Sequence, residues 1–139
     1  MIVVVGVDAS PKAPEILEAA IREASLREAE LHVVHVLNPP VIYVEVPVDV
    51  GLIADAERSA VWEQLQPQMS SADVPVQRVD LNGYPPDLLA DYANEVSASL
   101  LVVGTRGRGD LASLLLGSTS HRSLQLAKCD VLVVKTEEG

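Results

Sequence analysis

Aromatic side chains are nearly absent from this sequence, which has no Phe, one Trp and three Tyr among 139 residues. A core must therefore be built from Val, Leu, Ile and Ala. The single cysteine, Cys129, excludes an intrachain disulfide, and we interpret it as a small packing residue in a reducing compartment. No apolar run approaches the length of a membrane span and no secretory leader pattern opens the chain, so we expect a cytoplasmic protein without membrane insertion.

Basic residues are also scarce: 10 Lys and Arg face 20 Asp and Glu, a net charge of −10 that argues against nucleic acid and anionic membranes as partners. With 48% hydrophobic and 22% charged residues, the composition favours one folded domain over residues 1–139. Residues 97–129 run against the overall charge. They carry a net charge of +3, because they contain Arg106, Arg108, Arg122 and Lys128 but only one acidic residue, Asp110. This segment is therefore a natural place for an anionic ligand.

Apolar runs predict five strands, at residues 2–7, 31–37, 74–79, 100–103 and 131–134. Apolar positions at helical spacing predict four helices between them: over residues 13–24, over 53–65 with an end near Pro67, from Pro85 onward, and over 119–128. Residues 38–49 contain three prolines and are interpreted as a long loop. Strands that alternate with helices predict an α/β fold, a doubly wound parallel sheet of five strands.

The ends of the predicted strands carry the polar residues of interest. Asp8 and Ser10 follow the first strand, Leu37 ends the second, and a glycine-rich stretch leaves the fourth. Ligands of open α/β sheets bind outside the carboxyl ends of the strands, where the strand order reverses. If the first and fourth strands are neighbours, these residues converge on one crevice.

The glycine-rich stretch, residues 104–120, has glycines at 104, 107, 109 and 117, followed by Ser118 and Thr119 at the start of a predicted helix. Glycines allow close backbone approach and a helix N-terminus offers free N–H groups, so the stretch is suited to binding phosphate. It lacks the lysine of a Walker loop. A dinucleotide pattern at Gly107, Gly109 and Ala112 is disfavoured, because only one strand follows it.

The spacing G-x2-G-x9-G-[ST], formed by Gly104, Gly107, Gly117 and Ser118, resembles the loop of the ATP-binding branch of the universal stress protein family. The likeness extends over nearly the whole chain and includes VVGVDAS, LHVVHV, the turn at Gly83 and the closing DVLVVK. The resemblance implies a sheet of order 3-2-1-4-5 flanked by four helices, adenine nucleotide alpha hydrolase-like. It also implies binding of ATP, with Mg²⁺, and a homodimer through the last strand, from Val131 to Lys135.

The resemblance also implies roles for individual residues. Asp8, with its neighbour Val7, lies at the adenosine end and Val36 packs against adenine, while Gly104 and Gly107 let the loop wrap the ribose and phosphates. The terminal phosphates are bound by Gly117, Ser118 and Thr119, and the loop also contributes Thr105, Arg106 and Arg108. Two positions depart from the family pattern: Asp130 replaces a common proline, and Ala9 stands in a segment that is often Asp-Gly-Ser.

We therefore expect a nucleotide-dependent regulatory module of the stress response, with at most slow ATP hydrolysis because no general base is aimed at a γ-phosphate. One alternative is a phosphoacceptor receiver domain that uses Asp80 with Asp8, Thr105 and Lys135. Another is a structural dimer that binds no nucleotide. His32 and His35 do not form a metal pair, because residues three apart on a strand point to opposite faces.

Overall fold

The fold was analysed in a computed structural model that describes residues 1–37, 50–105 and 118–136. The loop predicted at residues 38–49 lies outside the described residues. In chain order the elements are β1 (Ile2–Val7), α1 (Ala13–Leu26), β2 (Glu30–Leu37), α2 (Val50–Ser71), β3 (Val76–Asn82), α3 (Pro85–Glu95), β4 (Leu100–Gly104), α4 (Ser118–Leu126) and β5 (Asp130–Val134).

The five strands form one parallel sheet in the order β3-β2-β1-β4-β5. This confirms the predicted fold class and strand order. Helices α1 and α2 pack on one face of the sheet, and α3 and α4 pack on the other. The reversal of strand order falls between β1 and β4, which places a crevice at their carboxyl ends.

The apolar run of β1 is buried on both faces of the sheet. Val3 and Val5 belong to the core under α1 and α2, whereas Val4 belongs to the core on the opposite face with Leu89 of α3. A Cβ atom at Gly6 would overlap the side chain of Leu89, so glycine at this position lets α3 pack close to the sheet. Continuous rather than alternating hydrophobicity is typical of such a central parallel strand.

Helix α2 differs from its prediction at both ends. Of the apolar positions that predicted this helix, Ile53, Ala56 and Ala60 are exposed. The buried face consists of Val61, Trp62, Leu65 and Met69. The helix also continues past Pro67 to Ser71, whose hydroxyl donates a hydrogen bond to the Pro67 carbonyl oxygen at 2.8 Å. Burial of Met69 beyond the proline extends the helix, because tertiary packing outweighs the local cost of proline.

Strand β3 was predicted at residues 74–79 and instead begins at Val76 and ends at Asn82. Pro75 precedes the strand, and its carbonyl oxygen accepts a hydrogen bond from the Leu31 N–H at 2.9 Å. Proline has no N–H to donate, so it fits the start of an edge strand better than its interior. The edge position of β3 agrees with the strand order 3-2-1-4-5 that the resemblance implies. Helix α4 spans residues 118–126 rather than 119–128.

Candidate functional site

The carboxyl end of β1 carries a tightly hydrogen-bonded turn. Val7 is buried and Asp8, which follows it, is half-buried at the sheet edge. The Asp8 carboxylate accepts a hydrogen bond from the Ser10 N–H at 2.9 Å, and the Ser10 hydroxyl accepts one from the Lys12 N–H at 3.0 Å. These hydrogen bonds between side chains and the nearby backbone fix the turn into α1. The position of Asp8 is therefore set by local interactions.

The carboxyl end of β4 is held by its neighbour β5. Gly104 pairs with Val134, and the Thr105 N–H donates a hydrogen bond to the Val134 carbonyl oxygen at 2.9 Å. Gly104 and Thr105 are both half-buried. The register of β1 with β4, continued by two residues from the Val5–Val102 pair, brings Val7 level with Gly104. The predicted residues of the first and fourth strands therefore lie side by side.

Helix α4 returns the chain to the same edge. It begins at Ser118, Thr119 is half-buried, and Ser120 is 2% exposed. The Ser120 hydroxyl donates a hydrogen bond to the Gly104 carbonyl oxygen. This contact puts the first turn of α4, with its backbone N–H groups, next to the end of β4.

The structure thus brings most of the predicted site together at one edge of the sheet. Strand β1 lies between β2 and β4, so their carboxyl ends adjoin, and the N-terminus of α4 borders β4. The residues gathered there are Val7, Asp8, Val36, Gly104, Thr105, Ser118 and Thr119. Arg106, Gly107, Arg108 and Gly117 lie outside the described residues. A polar edge with one acidic side chain and a helix N-terminus is suited to a ligand with an anionic end.

Charged side chains near the site are partly paired. Arg122 of α4 places its Nε 3.1 Å from a carboxylate oxygen of Asp87, in the first turn of α3. This ion pair connects the two helices that cover the same face of the sheet. Within the described residues no group of three or more His, Cys, Asp or Glu side chains is arranged to hold a metal ion.

The residues of the receiver alternative are not assembled. Asp80 lies on β3 and Lys135 follows β5, and these strands are the two opposite edges of the sheet. Four strand spacings separate them, roughly 19 Å. Asp80 instead accepts a hydrogen bond from the indole N–H of Trp62 at 2.9 Å and lies 3.6 Å from the guanidinium of Arg58. Its carboxylate is part of the contact between α2 and β3.

His35 lies beneath this contact and is 2% exposed. Burial lowers the pKa of His35. The nearby carboxylates of Glu57, Asp80 and Asp8 partly oppose this shift, and the positive charge of Arg58 adds to it. His32 points to the other face, as expected from the spacing, and hydrogen-bonds to the hydroxyl of Tyr92 at 2.7 Å. Both histidines therefore belong to the packing of the sheet with its helices.

Ser120 is the site residue that the sequence did not indicate. It follows Ser118 and Thr119 directly, and a third hydroxyl in a row carries no signal of its own.

Burial raises the pKa of the Cys129 thiol, which agrees with the interpretation of this residue as a packing group rather than a nucleophile. None of the helices in residues 1–37, 50–105 and 118–136 has the length and apolar character needed to cross a membrane.

Solved structures share this architecture. UspA from Lactobacillus plantarum has the same fold, with a TM-score of 0.84 at 22% identity over 96% of this chain and 97% of that one. A universal stress protein in complex with cAMP is 29% identical, with a TM-score of 0.76 over 99% of this chain and 98% of that one. A universal stress protein of Archaeoglobus fulgidus in complex with dAMP is 27% identical, with a TM-score of 0.72 over 97% and 98% of the two chains.

Relatives are also evident from sequence. The chain is 28% identical to universal stress protein YxiE of Bacillus subtilis, over 94% of this chain and 96% of that protein. It is 38% identical to a universal stress protein of Mycobacterium tuberculosis over 96% of its own length, and it spans only 45% of that longer protein. The sequence profile described as Universal stress protein family matches residues 1–135. The chain belongs to the universal stress protein family.

Proposed function

We propose that this chain binds ATP at the carboxyl edge of its sheet and acts as a cytoplasmic, nucleotide-dependent regulatory module of the stress response. The observation that carries the proposal is the meeting of three features in one crevice. These are the end of β1 at Asp8, the end of β4 at Gly104, and the first turn of α4. Solved relatives with cAMP and dAMP support an adenine nucleotide as the ligand.

The adenosine moiety is assigned to the ends of β1 and β2. Val36 is half-buried next to the last residue of β2 and offers an apolar surface to adenine. Asp8 is half-buried across from it and carries a carboxylate suited to hydroxyl donors of a ribose. Val7 is 5% exposed and lies in β1 beneath the positions assigned to adenine and ribose.

The phosphates are assigned to the turn into α4. The backbone N–H of Ser118 and the hydroxyl of Thr119 are donors at the positive end of a nine-residue helix. The N–H of Gly117 is assigned to the same phosphates from its place in the sequence. Gly104 and Gly107 give the loop the close backbone approach that phosphate needs. Thr105 at its start and the positive charges of Arg106 and Arg108 add to its attraction for an anion in a chain of net charge −10.

Magnesium is assigned to the triphosphate rather than to a protein cage. Asp8 is the acidic side chain that the crevice offers, and the described residues hold no cluster of acids or histidines suited to a metal. Mg²⁺ commonly keeps water ligands and binds through phosphate oxygens. The carboxylate of Asp8 is assigned to the ribose rather than to the terminal phosphates, so we expect any hydrolysis of ATP to be slow. Regulation follows if ATP binds two conformations with different affinity.

The test is isothermal titration calorimetry of the purified chain with ATP, ADP and AMP in Mg²⁺. We expect ATP binding that Gly117→Val abolishes, because a branched side chain blocks the approach of phosphate to the backbone. Gly109→Val is the matched control: the same substitution lies in the same loop but outside the G-x2-G-x9-G-[ST] spacing, and it should retain ATP binding.

Each outcome separates the candidate functions. Absence of heat at millimolar ATP contradicts the proposal and favours a structural dimer without nucleotide. Equal losses in the Gly117 and Gly109 variants contradict the assignment of phosphate to Gly117. Circular dichroism of both variants shows whether the fold is retained, and the rate of phosphate release by the wild type measures any hydrolysis.

A further inference from the structure

Three consecutive hydroxyl residues open α4, and the structure separates the third from the other two. Ser120 is 2% exposed, and its hydroxyl donates a hydrogen bond to the Gly104 carbonyl oxygen. A serine has one O–H donor. The donor of Ser120 is therefore used within the protein, whereas Thr119 is half-buried at the crevice.

The acceptor of this hydrogen bond is a fixed point of the sheet. Gly104 is the last residue of β4 and pairs with Val134 of β5, and the next N–H, of Thr105, also bonds to Val134. The described chain reaches Thr105, one residue beyond Gly104, and resumes at Ser118. The Ser120–Gly104 bond thus joins the two ends of the glycine-rich loop directly.

The other polar contacts of α4 hold different parts of the helix. Arg122 pairs with Asp87 near the middle of the helix, at 3.1 Å. Asn94 of α3 holds the C-terminal end: its amide donates to the Leu126 carbonyl oxygen at 3.0 Å and accepts from the Lys128 N–H at 2.9 Å. These contacts attach α4 to α3, whereas Ser120 attaches the first turn of α4 to the end of β4.

We propose that Ser120 is a positioning residue of the nucleotide site, whose bond to Gly104 sets the distance between the end of β4 and the N-terminus of α4. The inference rests on the proposed function. A phosphate that binds between the end of β4 and the first turn of α4 is held more tightly when their separation is already set, because preorganisation raises affinity. Ser120 itself does not touch the nucleotide.

This role predicts an effect confined to the phosphate part of the ligand. Adenosine is assigned to Asp8, which follows β1, and to Val36 of β2, whereas α4 packs mainly against α3, β4 and β5. The terminal phosphates are assigned to the first turn of α4. Loss of the Ser120 hydroxyl should therefore weaken ATP much more than adenosine.

The experiment compares Ser120→Ala, Ser120→Thr and Asn94→Ala with the wild type. ATP affinity is measured by calorimetry and adenosine affinity by NMR titration. Ser120→Ala is expected to weaken ATP binding about fivefold to tenfold, because the preorganisation of the site is lost, with the affinity for adenosine changed less than about twofold. Ser120→Thr keeps the hydroxyl and should retain the affinity for ATP. Asn94→Ala loosens the far end of α4 and should lower the thermal stability while both affinities are retained.

Unchanged ATP affinity in Ser120→Ala overturns the inference, as does an equal loss of ATP and adenosine, which a merely structural role would produce. A loss of ATP affinity in Ser120→Thr as large as in Ser120→Ala also overturns it, because the hydroxyl is then not the cause. In these cases the wild type still binds ATP and the proposed function stands. If the wild type itself does not bind ATP, the proposed function fails and this inference fails with it.

Discussion

The indole N–H of Trp62 donates a hydrogen bond of 2.9 Å to a carboxylate oxygen of Asp80, and this bond joins helix α2 to the edge strand β3. Trp62 is 6% exposed, so its single N–H donor needs a partner inside the protein. The guanidinium of Arg78 lies 5.3 Å from the centre of the same ring, in a cation–π contact. The only tryptophan of the sequence thus combines three contacts at one place: it is buried, it donates a hydrogen bond to Asp80, and its ring stacks with Arg78.

Arg58, one turn before Trp62 on α2, strengthens the same contact. Its Nη2 donates to the side-chain oxygen of Asn82 at 2.8 Å, and its Nε lies 3.6 Å from Asp80. Asp80 is therefore a structural acceptor that holds the second half of α2 on the sheet. This accounts for an acidic residue near a strand end without a phosphoacceptor role.

We predict that Asp80→Ala lowers the free energy of unfolding by about 1–2 kcal/mol, because the buried indole N–H of Trp62 loses its acceptor. Asp80→Asn keeps an oxygen at this position and should cost less than Asp80→Ala. Urea denaturation followed by Trp62 fluorescence measures both changes. Equal losses in the two variants would show that the charge of Asp80, rather than its hydrogen bond, provides the stability.

The burial of His35 predicts the direction in which the stability of the protein depends on pH. Its pKa is lowered chiefly by burial, so the unfolded chain binds the proton more readily than the folded one. The stability that neutral His35 provides is complete above its ordinary pKa of about 6.5 and is lost as the pH falls toward the folded value. Acidification below neutral pH should therefore destabilise the fold through this residue.

The measurement is the free energy of unfolding of the wild type and His35→Gln between pH 7.5 and 5, where these pH limits span the ordinary pKa of histidine, about 6.5. The glutamine does not titrate, so we expect the stability of the variant to fall less steeply with acid. His121→Gln, at an exposed position on α4, is the matched control for the substitution. Parallel pH profiles for the wild type and His35→Gln would contradict the assignment.

Most of the fold could be predicted because the central strands carry their own signal. Val3, Val4 and Val5 are all buried, since β1 is covered on both faces, and this produces the apolar run seen in the sequence. The strand-end positions of Asp8 and Gly104 followed from these runs and the chain order. The glycine spacing then indicated which strand end holds the candidate site.

The errors arise where tertiary contacts outweigh local preference. Pro67 indicates a helix end, but the burial of Met69 one half-turn later keeps the residues helical as far as Ser71. The Trp62–Asp80 bond depends on the rotation of α2 over an edge strand, which periodicity does not specify. Ser120 was missed for a similar reason, because its partner Gly104 is 16 residues away.

The outer side of β5 is the surface that the family resemblance assigns to a homodimer. Within the described residues β5 pairs only with β4, and the side chains from Val131 to Val134 are half-buried, followed by exposed Lys135. The Val134 carbonyl accepts a hydrogen bond from the N–H of Thr105, the residue that follows β4. Backbone groups alternate along a strand, so the N–H of Val133 points away from β4 and is open to a second copy.

We predict that Val133→Pro prevents dimerisation and leaves the monomer folded, because the substitution removes an outward N–H that the β4–β5 ladder does not use. Arg78→Pro is the matched control: β3 is the opposite edge of the sheet, and an outward position there should leave the dimer intact. Analytical ultracentrifugation gives the mass of each species, and circular dichroism checks the fold. A dimeric Val133→Pro, or a monomeric wild type, would show that β5 does not form the interface. If the variant is monomeric and still binds ATP, the crevice is complete within one chain and dimerisation is a separate property of the β5 edge.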